Sequence, residues 1–350
     1  MTIPRYKWQP TTLEIAAAAG IDPKDVIRFD HNTTPWPVNW AVELAATATA
    51  NLNEYPGASY LGIRQAAAAR HGLEPDQIVP GAGADELILL SARAFLQPGQ
   101  VAVAVTPTYP LYRIACAQVD AVFKQVPAVA PTFEIPLNEL LEAARDADLV
   151  WLCVPNNPTA ADMSPEAVDT VIAATDGIVV VDAAYAEFAG TDWTEQVTQH
   201  SNLIVLRTLS KAFALAGARV GYAMGHPSLI DRIDAMRPPG SIASISAVLA
   251  EAALRRPDLA ARTVETLANA REVLAGALGG LGFRVLPSEV NFLLCEVGAQ
   301  AGVIAARLRA RGLVVRTFPA EHGLEEYLRF TVRSREQNER LITTLREELT

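Results

Sequence analysis

The sequence predicts an α/β fold with two parts. A large domain has a mostly parallel sheet covered by helices on both faces, and a smaller α+β domain follows at the C-terminus. Short apolar strands alternate with helices between residues 101 and 206, and strands that are apolar throughout belong to sheets buried on both faces. After Met224 the composition changes, and long helical stretches precede a second group of strands. A chain of 350 residues with 50% hydrophobic residues is long enough for both parts.

The elements of the large domain follow from local patterns. Helices are expected over 41–50 and 61–70, separated by the breaker segment NEYPGASY, which contains Tyr55. A strand over 78–80 leads through the glycine-rich segment GAGADE into a helix that continues through Phe95. From there strands and helices alternate, with strands over 101–105, 121–126, 149–154, 178–181 and 203–206 and helices over 112–117, 137–144 and 165–174.

The remaining segments are an N-terminal arm and the small domain. The arm contains an alanine-rich helix over 13–19, and the HNTTPWP segment at 31–37 is expected to be extended or turned. In the small domain, helices are expected over 243–254, 258–278, 301–311 and from Glu336, with strands over 283–286, 291–295, 314–316 and 327–332. We predict boundaries of 1–36 for the arm, 37–235 for the large domain and 236–350 for the small domain, with RPPG at 237–240 as the hinge.

Charge and cysteine content exclude several classes of partner. The formal net charge is -10, and no Lys/Arg cluster is long enough to follow a phosphate backbone, which argues against nucleic-acid and anionic-membrane partners. The N-terminus has no apolar signal region, and apolar runs stop well short of the ~20 residues of a membrane span, so we expect a cytoplasmic protein. Cys116, Cys153 and Cys295 are widely separated, which indicates buried thiols and predicts no metal site.

The segment TLSKAFALAGARVGY at 208–222 is the strongest chemical signal. Lys211 is one of only four lysines, beside twenty-five arginines, and it lies between an apolar strand and a small-residue turn. An amine among apolar neighbours has a lowered pKa and forms Schiff bases with carbonyl compounds. Ser210 and Arg219 indicate a phosphate beside that lysine. The alternative is a loop whose polar residues are incidental.

A second anion-binding signal is the strand-to-helix turn GAGADE. Glycines let the backbone approach an anion, and the first N–H groups of the helix, at about Ala84 and Asp85, face it with the positive end of the dipole. The alternative is a tight turn in which Asp85 and Glu86 favour the first helical turn.

Polar and aromatic side chains follow the carboxyl ends of the predicted parallel strands, where ligands bind in such sheets. A carboxylate there pairs with a protonated pyridine nitrogen, a phenol and a carboxamide bond a ring oxygen, and an aromatic ring stacks on a heterocycle. Singly, each residue has another explanation: Asp182 as a helix cap, the asparagines as turn residues and Tyr109 as a packed core residue. The set consists of Thr108, Tyr109, Asn156, Asn157, Asp182, Tyr185 and Lys211.

Two arginines of the small domain lie on or beside short strands. Arg316 and Arg329 are expected to be partly buried, and a buried guanidinium needs an anionic partner. Either one alone is best explained by a structural ion pair. Two at one site point to an anionic substrate.

The motifs GADEL, PTY, PNNPT, VDAAYAEF, RTLSKAFALAGARVGY and NFLL, in this order and spacing, resemble those of the fold-type I pyridoxal-phosphate aminotransferases. Within that family the chain most resembles the histidinol-phosphate aminotransferases, and the resemblance covers nearly all of it. It implies an aspartate-aminotransferase-like fold and pyridoxal 5'-phosphate as the cofactor. By this resemblance Lys211 bonds covalently to the cofactor and then moves the substrate proton, and Asp182 keeps the pyridine nitrogen protonated. The other cofactor contacts implied are Asn157 and Tyr185 to the 3-oxygen, Tyr109 stacked on the ring, and Ala84, Asp85, Ser210 and Arg219 on the phosphate.

The same resemblance implies a homodimer in which Tyr55 reaches the partner's cofactor phosphate. Arg329, assisted by Arg316, would bind the carboxylate of glutamate in one half-reaction and the substrate phosphate in the other. Trp8 and Asn32 would border the small-molecule substrate.

The implied reaction is transamination of L-histidinol phosphate with 2-oxoglutarate. Aromatic amino acid transamination and decarboxylation of a threonine-phosphate type remain alternatives on the same fold, and a cofactor-binding regulator is the alternative from another class. Three positions depart from the family pattern: Ala160 where glycine is usual, the HNTTPWP loop, and Arg333 where glycine is common. The loop and Arg333 bear on substrate choice.

Overall fold

The computed structural model describes residues 3–57, 59–320 and 323–349. The helices in these ranges are α1 (Thr12–Ala19), α2 (Val42–Ala48), α3 (Leu61–His71), α4 (Gly83–Phe95), α5 (Leu111–Gln118), α6 (Leu137–Ala144), α7 (Pro165–Ala173), α8 (Ala186–Ala189), α9 (Thr194–Gln199), α10 (Pro227–Met236), α11 (Ser244–Leu254), α12 (Pro257–Gly279), α13 (Ala301–Ala310) and α14 (Arg335–Leu349). The strands are β1 (Ile27–Phe29), β2 (Ile78–Gly81), β3 (Val101–Thr106), β4 (Val122–Pro127), β5 (Leu149–Cys153), β6 (Ile178–Asp182), β7 (Leu203–Thr208), β8 (Gly221–Gly225), β9 (Arg284–Val285), β10 (Phe292–Glu296), β11 (Leu313–Val315) and β12 (Tyr327–Thr331).

The central sheet has seven strands in the order β2-β8-β7-β6-β5-β3-β4. The neighbours from β7 to β4 pair in parallel, whereas β8 runs antiparallel to both β7 and β2. The carboxyl ends of the parallel strands therefore lie along one edge of the sheet. Loops at that edge are where such folds bind ligands.

The centre of the sheet is buried on both faces. Along β5, Leu149 and Trp151 pack into the apolar layer on one face, and Val150 and Leu152 pack into the layer on the other. Alternate side chains of a strand point to opposite faces, so a strand covered on both sides must be apolar throughout. This arrangement confirms the predicted fold class.

Local capping signals set the ends of several helices. Thr11 and Glu14 form a capping box at the start of α1, where the Glu14 N–H donates to Thr11 Oγ1 at 3.2 Å and the Thr11 N–H donates to Glu14 Oε2 at 2.7 Å. Ser164 caps α7, whose first residue is Pro165. Gly72 ends α3 in the left-handed conformation, with φ of 62°.

The smaller C-terminal domain contains the antiparallel sheet β12-β10-β9 and a separate two-stranded parallel sheet of β1 and β11. The second sheet contains β1, so the end of the predicted N-terminal arm packs on this domain. Arg316 and Arg329 form a single antiparallel bridge that connects the end of β11 to β12. The strand predicted over 314–316 ends one residue earlier, and Arg316 lies just beyond it.

Some elements were not anticipated by the sequence analysis, namely β1, β8, α8, α9 and α10. β8 is short and bounded by glycines, which usually indicate a turn. Gly221 is required by a close approach, because a Cβ there would lie 2.7 Å from the Arg207 carbonyl oxygen and 2.8 Å from the Ala84 nitrogen. Among the described residues, no helix combines the length and apolarity needed to cross a bilayer.

Candidate active site

The predicted site residues of the large domain lie at the carboxyl edge of the central sheet. Asp182 is the last residue of β6, and Tyr109, Asn157 and Lys211 follow the ends of β3, β5 and β7 within four residues. Neighbouring parallel strands end side by side, so separate sequence segments meet at one place. The fold thus brings together the residues expected from the strand ends.

Lys211 is partly buried, with its Nζ 5.7 Å from the centre of the Tyr185 ring. Burial and the positive charge of Arg329 together lower the pKa of Lys211 to about 8, although Asp85 acts in the opposite direction. A lysine in this state has an appreciable neutral fraction near neutral pH. It is therefore suited to act as a nucleophile and as a base.

Asp182 is buried, with two hydrogen-bond donors on its carboxylate. The Tyr112 hydroxyl donates to Oδ2 at 2.7 Å, and the Ala184 N–H donates to Oδ1 at 3.2 Å. Burial raises the pKa of Asp182 to about 6, and these two donors act against that rise. A buried carboxylate with no cationic side chain bonded to it among the described residues is suited to accept a hydrogen bond from a protonated ring nitrogen.

Tyr112 is a functional residue that the sequence analysis missed. Its ring is fully buried and stacks on Trp151, with centroids 5.1 Å apart and planes 13° apart. The sequence places Tyr112 on α5, and nothing in the spacing links that helix to the end of β6. The only signal was a tyrosine on an otherwise apolar helix face.

The predicted phosphate contacts converge at the start of α4. Arg219 donates to Asp85 Oδ2 at 2.7 Å and to Ser210 Oγ at 3.4 Å. The Tyr109 hydroxyl donates to Asp85 Oδ1 at 2.9 Å, so both carboxylate oxygens of Asp85 are already paired. Any contact of Asp85 with an anion must therefore come from its backbone N–H, like that of Ala84.

Gly83 makes room for this cluster. Its φ is 81°, and a Cβ at this position would lie 2.7 Å from Arg219 Nη2. The glycine therefore allows both the turn into α4 and the approach of the guanidinium to the helix N-terminus. The glycine-rich turn and Arg219, far apart in sequence, therefore meet at the N-terminus of α4.

Asn157 and Tyr185, the two residues expected at the 3-oxygen, each accept a hydrogen bond from a distant segment of the chain. Asn32 Nδ2 donates to the Tyr185 hydroxyl at 3.0 Å, and Arg329 donates to Asn157 Oδ1. The Asn156 side chain instead connects two loops. Its Oδ1 accepts from the Thr108 hydroxyl, and its Nδ2 donates to Thr159 Oγ1 and to the Pro107 carbonyl oxygen.

Of the two small-domain arginines, Arg329 bonds Asn157, and Arg316 lies opposite Arg329 on the bridge between β11 and β12. Arg329 donates to the Asp30 carbonyl oxygen at 2.7 Å, its Nε is buried without a hydrogen-bond partner, and its guanidinium lies 5.2 Å from the centre of the Phe292 ring. Burial lowers the pKa of Arg329 to about 10, and the charge of Arg316 lowers it as well. Within the described ranges no carboxylate lies within 4.0 Å of either guanidinium. An anionic ligand would meet the need of both groups.

Two aromatic residues of the arm lie in series beside Tyr109, namely Tyr6 and the predicted Trp8. Tyr6 lies edge-on to Tyr109, with ring centroids 6.3 Å apart, whereas Trp8 is 84% exposed and contacts Tyr6 at 4.9 Å. Trp8 therefore connects to this group through its contact with Tyr6. Tyr55 is 97% exposed on the isolated chain.

The whole set fits a phosphorylated pyridine aldehyde. A partly neutral amine suits the aldehyde, a buried carboxylate suits the ring nitrogen, and the Ser210–Arg219 pocket at a helix N-terminus suits the phosphate. A cavity of about 1000 Å³ lies elsewhere, between α3, α8 and α12, and none of the predicted site residues lines it. Among the described residues, no group of His, Cys, Asp and Glu has the arrangement of a metal site.

Solved structures share the fold. Histidinol-phosphate aminotransferase from Sinorhizobium meliloti, in complex with pyridoxal-5'-phosphate, superposes with a TM-score of 0.88 at 24% identity, covering 98% of this chain and 96% of that one. A double mutant of aspartate aminotransferase from Thermus thermophilus has a TM-score of 0.79 at 20% identity, with 97% of each chain covered. At these identities the similarity shows the fold alone.

Sequence comparisons identify the family. Histidinol-phosphate aminotransferase of Methanothermobacter thermautotrophicus is 35% identical over 347 residues, covering 95% of this chain and 92% of that protein. The protein of the same name from Roseiflexus castenholzii is 35% identical over 346 residues, with the same coverage. The model of the family "Aminotransferase class I and II" matches residues 24–345. The chain therefore belongs to the class I and II aminotransferases, a family of pyridoxal-phosphate-dependent enzymes.

Proposed function

We propose that the protein transfers the amino group of L-histidinol phosphate to 2-oxoglutarate, giving imidazole-acetol phosphate and L-glutamate in histidine biosynthesis. The observation that carries this proposal is Arg329, whose charge acts on Lys211 and which has Arg316 opposite it on a β-bridge, with no carboxylate of the described residues paired with either guanidinium. One such pair serves the phosphate of one substrate and the carboxylate of the other. The names of the two relatives support the same substrate.

Pyridoxal 5'-phosphate, when bound, supplies an electron sink for the negative charge that develops at the substrate Cα. We assign its phosphate to the start of α4 and the Ser210–Arg219 pocket, and its ring to the space beside Tyr109. The residues proposed to hold it are Ala84, Asp85, Tyr109, Asn157, Asp182, Tyr185, Ser210, Lys211 and Arg219.

Asp182 sets the charge of the ring nitrogen in this proposal. An ionised Asp182 accepts a hydrogen bond from the pyridine N–H and favours the protonated ring. The Tyr112 hydroxyl favours the same ionised state, because it donates to the carboxylate. Asn157 and Tyr185 would hold the ring by hydrogen bonds to its 3-oxygen.

Lys211 provides the proton transfer. Its Nζ would take up and release the proton of the substrate Cα, a task that suits a neutral amine of lowered pKa near pH 8. Arg329 orients the substrate by its anionic end, and Tyr6 covers the ring of Tyr109 on the arm side.

The proposal includes a homodimer. Tyr55 is almost fully exposed on one chain, as expected of a side chain that contacts the cofactor phosphate of a partner subunit. The domain boundaries after residues 36 and 235 and a cytoplasmic location also remain predictions.

A second candidate is aromatic amino acid transamination. The observation that favours it is the aromatic contact series Trp8–Tyr6–Tyr109, which offers an apolar surface for a substrate ring. In this case Arg329 binds the substrate carboxylate, and Arg316 has no phosphate to bind.

A single-turnover titration of the holoprotein distinguishes these reactions. L-histidinol phosphate, phenylalanine and threonine phosphate are each mixed with the protein while the visible band of the bound cofactor is followed. Light scattering of the same preparation gives the molar mass and tests the dimer. We expect conversion to the amine form of the cofactor at low histidinol phosphate concentration, and reversal by 2-oxoglutarate.

The other outcomes redirect the proposal. Conversion by phenylalanine alone would keep the chemistry and assign the protein to aromatic amino acids. Release of carbon dioxide from threonine phosphate would make it a decarboxylase. A monomeric molar mass in the active preparation would refute the shared site.

A further inference from the structure

Side chains of β12, together with Arg333 beyond its end, hold the loop of the arm at residues 30–34 by hydrogen bonds. Arg329 donates to the Asp30 carbonyl oxygen at 2.7 Å. Two residues along, Thr331 Oγ1 donates to Asn32 Oδ1 at 3.0 Å and accepts from the Asn32 N–H at 2.9 Å. After two more residues, Arg333 Nη1 donates to the Thr33 carbonyl oxygen at 3.0 Å. Alternate residues of a strand point to one face, so these three side chains follow successive parts of the loop.

Arg333 makes the last and widest of these attachments. Nη1 also lies 3.3 Å from Thr33 Oγ1 and 3.3 Å from the Thr34 carbonyl oxygen, and Nε donates to Gln337 Oε1 at 3.1 Å. Each of these acceptors is neutral, and within the described ranges no carboxylate pairs with this guanidinium. Burial lowers the pKa of Arg333 to about 10, as expected for a cation without a paired anion.

The loop carries a residue that contacts the cofactor-binding group. Asn32 is 2% exposed, and its Nδ2 donates to the Tyr185 hydroxyl at 3.0 Å. On the other side, Asn291 Nδ2 donates to the Asn32 carbonyl oxygen at 3.0 Å. The orientation of the Tyr185 hydroxyl therefore depends on where the loop holds Asn32.

We propose that Arg333 is a positioning residue that acts through the loop, holding Asn32 against Tyr185, and that it does not contact the substrate. This inference rests on the proposed assignment of Tyr185 to the ring 3-oxygen. Tyr185 serves both half-reactions, so a change at Arg333 lowers the rate with both substrates. A direct contact with a substrate anion would instead raise KM mainly for the phosphate substrate.

The test compares Arg333→Met, which removes the donors but keeps the length, with Arg333→Gln, which removes the charge but keeps an N–H donor. Arg335→Met is the matched control, because that arginine is exposed and pairs only with Glu339 on α14. We expect kcat to fall about ten- to a hundredfold in Arg333→Met with both substrates, and less in Arg333→Gln. Arg335→Met keeps the wild-type rate.

A double-mutant cycle with Asn32→Ala separates positioning from a general loss of stability. If Arg333 acts through Asn32, the double variant is little worse than Asn32→Ala alone. In each holoprotein, the pH at which the visible band of the cofactor changes is also measured. This pH should shift in the same direction in Arg333→Met and Asn32→Ala, because both alter the Tyr185 hydroxyl.

Three results would overturn the proposal. The first is that the losses of rate in the double-mutant cycle are additive. The second is that Arg333→Gln and Arg333→Met cause equal losses, confined to a higher KM for the phosphate substrate. The third is that the pH at which the cofactor band changes is not shifted in Arg333→Met. The cofactor band can be measured whenever the cofactor is bound, whether or not the protein is active. A shifted band in a protein that transaminates none of the tested donors would refute the proposed reaction and leave the role of Arg333 supported.

Discussion

At the scale of single residues, the site depends on how burial and neighbours set the charge of two groups. Burial raises the pKa of Asp182 and lowers that of Lys211, which in both cases favours the neutral form. The Tyr112 hydroxyl opposes this effect at Asp182 by donating to the carboxylate. The ionised state of Asp182 therefore depends partly on a residue that does not itself contact the proposed cofactor.

Tyr112→Phe should raise the pKa of Asp182 above its value of about 6, because it removes a donor that favours the carboxylate. A buried hydrogen bond to a charged group is worth about 1.5 kcal/mol or more, or roughly one pH unit. The pH below which the protein loses its cofactor should rise by about that amount, and below this pH the cofactor should bind about tenfold more weakly. Cofactor dissociation measured from pH 5 to 8 checks this.

The matched control is Tyr222→Phe. The Tyr222 hydroxyl is also buried, but it bonds His71 Nε2 at 2.8 Å and does not reach Asp182. Its removal should leave the pH of cofactor loss unchanged. An unchanged pH of cofactor loss in Tyr112→Phe, or the same shift in both variants, would contradict the role given to Tyr112.

Sequence reasoning found the residues that follow strand ends and missed those that reach the site from elsewhere. Lys211 and Asp182 were predictable, because parallel strands end together and the residue types fit one chemistry. Tyr112 and Tyr6 were not, because their contacts depend on how a helix and the arm pack. Trp8 was predicted by resemblance alone, and the contacts that connect it through Tyr6 to Tyr109 depend on how the arm packs.

At the scale of elements, the loop after β5 shows a local conflict between residue and backbone. Ala160 has φ of 61°, in the left-handed region that favours glycine, and its N–H donates to the Asn156 carbonyl oxygen at 2.8 Å. The turn thus holds alanine in an unfavourable conformation two residues from the Asn157–Pro158 bond. The departure of this chain from the glycine expected by resemblance therefore has a cost in stability.

Ala160→Gly should raise the free energy of unfolding by up to about 1 kcal/mol, since relief of strain exceeds the added entropy of the unfolded chain. Ala17→Gly is the control, because Ala17 is exposed within α1 and glycine there should lower stability by about 1 kcal/mol. Thermal unfolding of the holoproteins checks the two signs. A lower melting temperature for both variants would show that Ala160 is not strained.

The alternating apolar strands and helices were predictable as elements, and their bounds agree within a few residues. β1 and β8 were not. β1 has three residues, and its pairing with β11 joins segments nearly three hundred residues apart, which no local pattern shows. β8 lies between glycines that sequence reasoning takes for a turn, although Gly221 is there for close packing.

At the scale of the whole molecule, the site joins the two domains. The sheet edge of the large domain supplies Lys211 and Asp182, and β12 of the small domain supplies Arg329, which bonds Asn157 across the boundary. The arm completes the connection through Asn32 and Tyr185. If Arg329 binds the substrate as proposed, binding would act on both domains at once.

The measurement that tests the central claim most directly is the location of the covalently bound cofactor. The chain has only four lysines, so borohydride reduction of the holoprotein followed by peptide mass mapping gives an unambiguous answer. We expect one cofactor-derived mass per chain, on the peptide that contains Lys211, and none after Lys211→Ala. A cofactor mass on Lys7, Lys24 or Lys124, or on no lysine at all, would contradict the account.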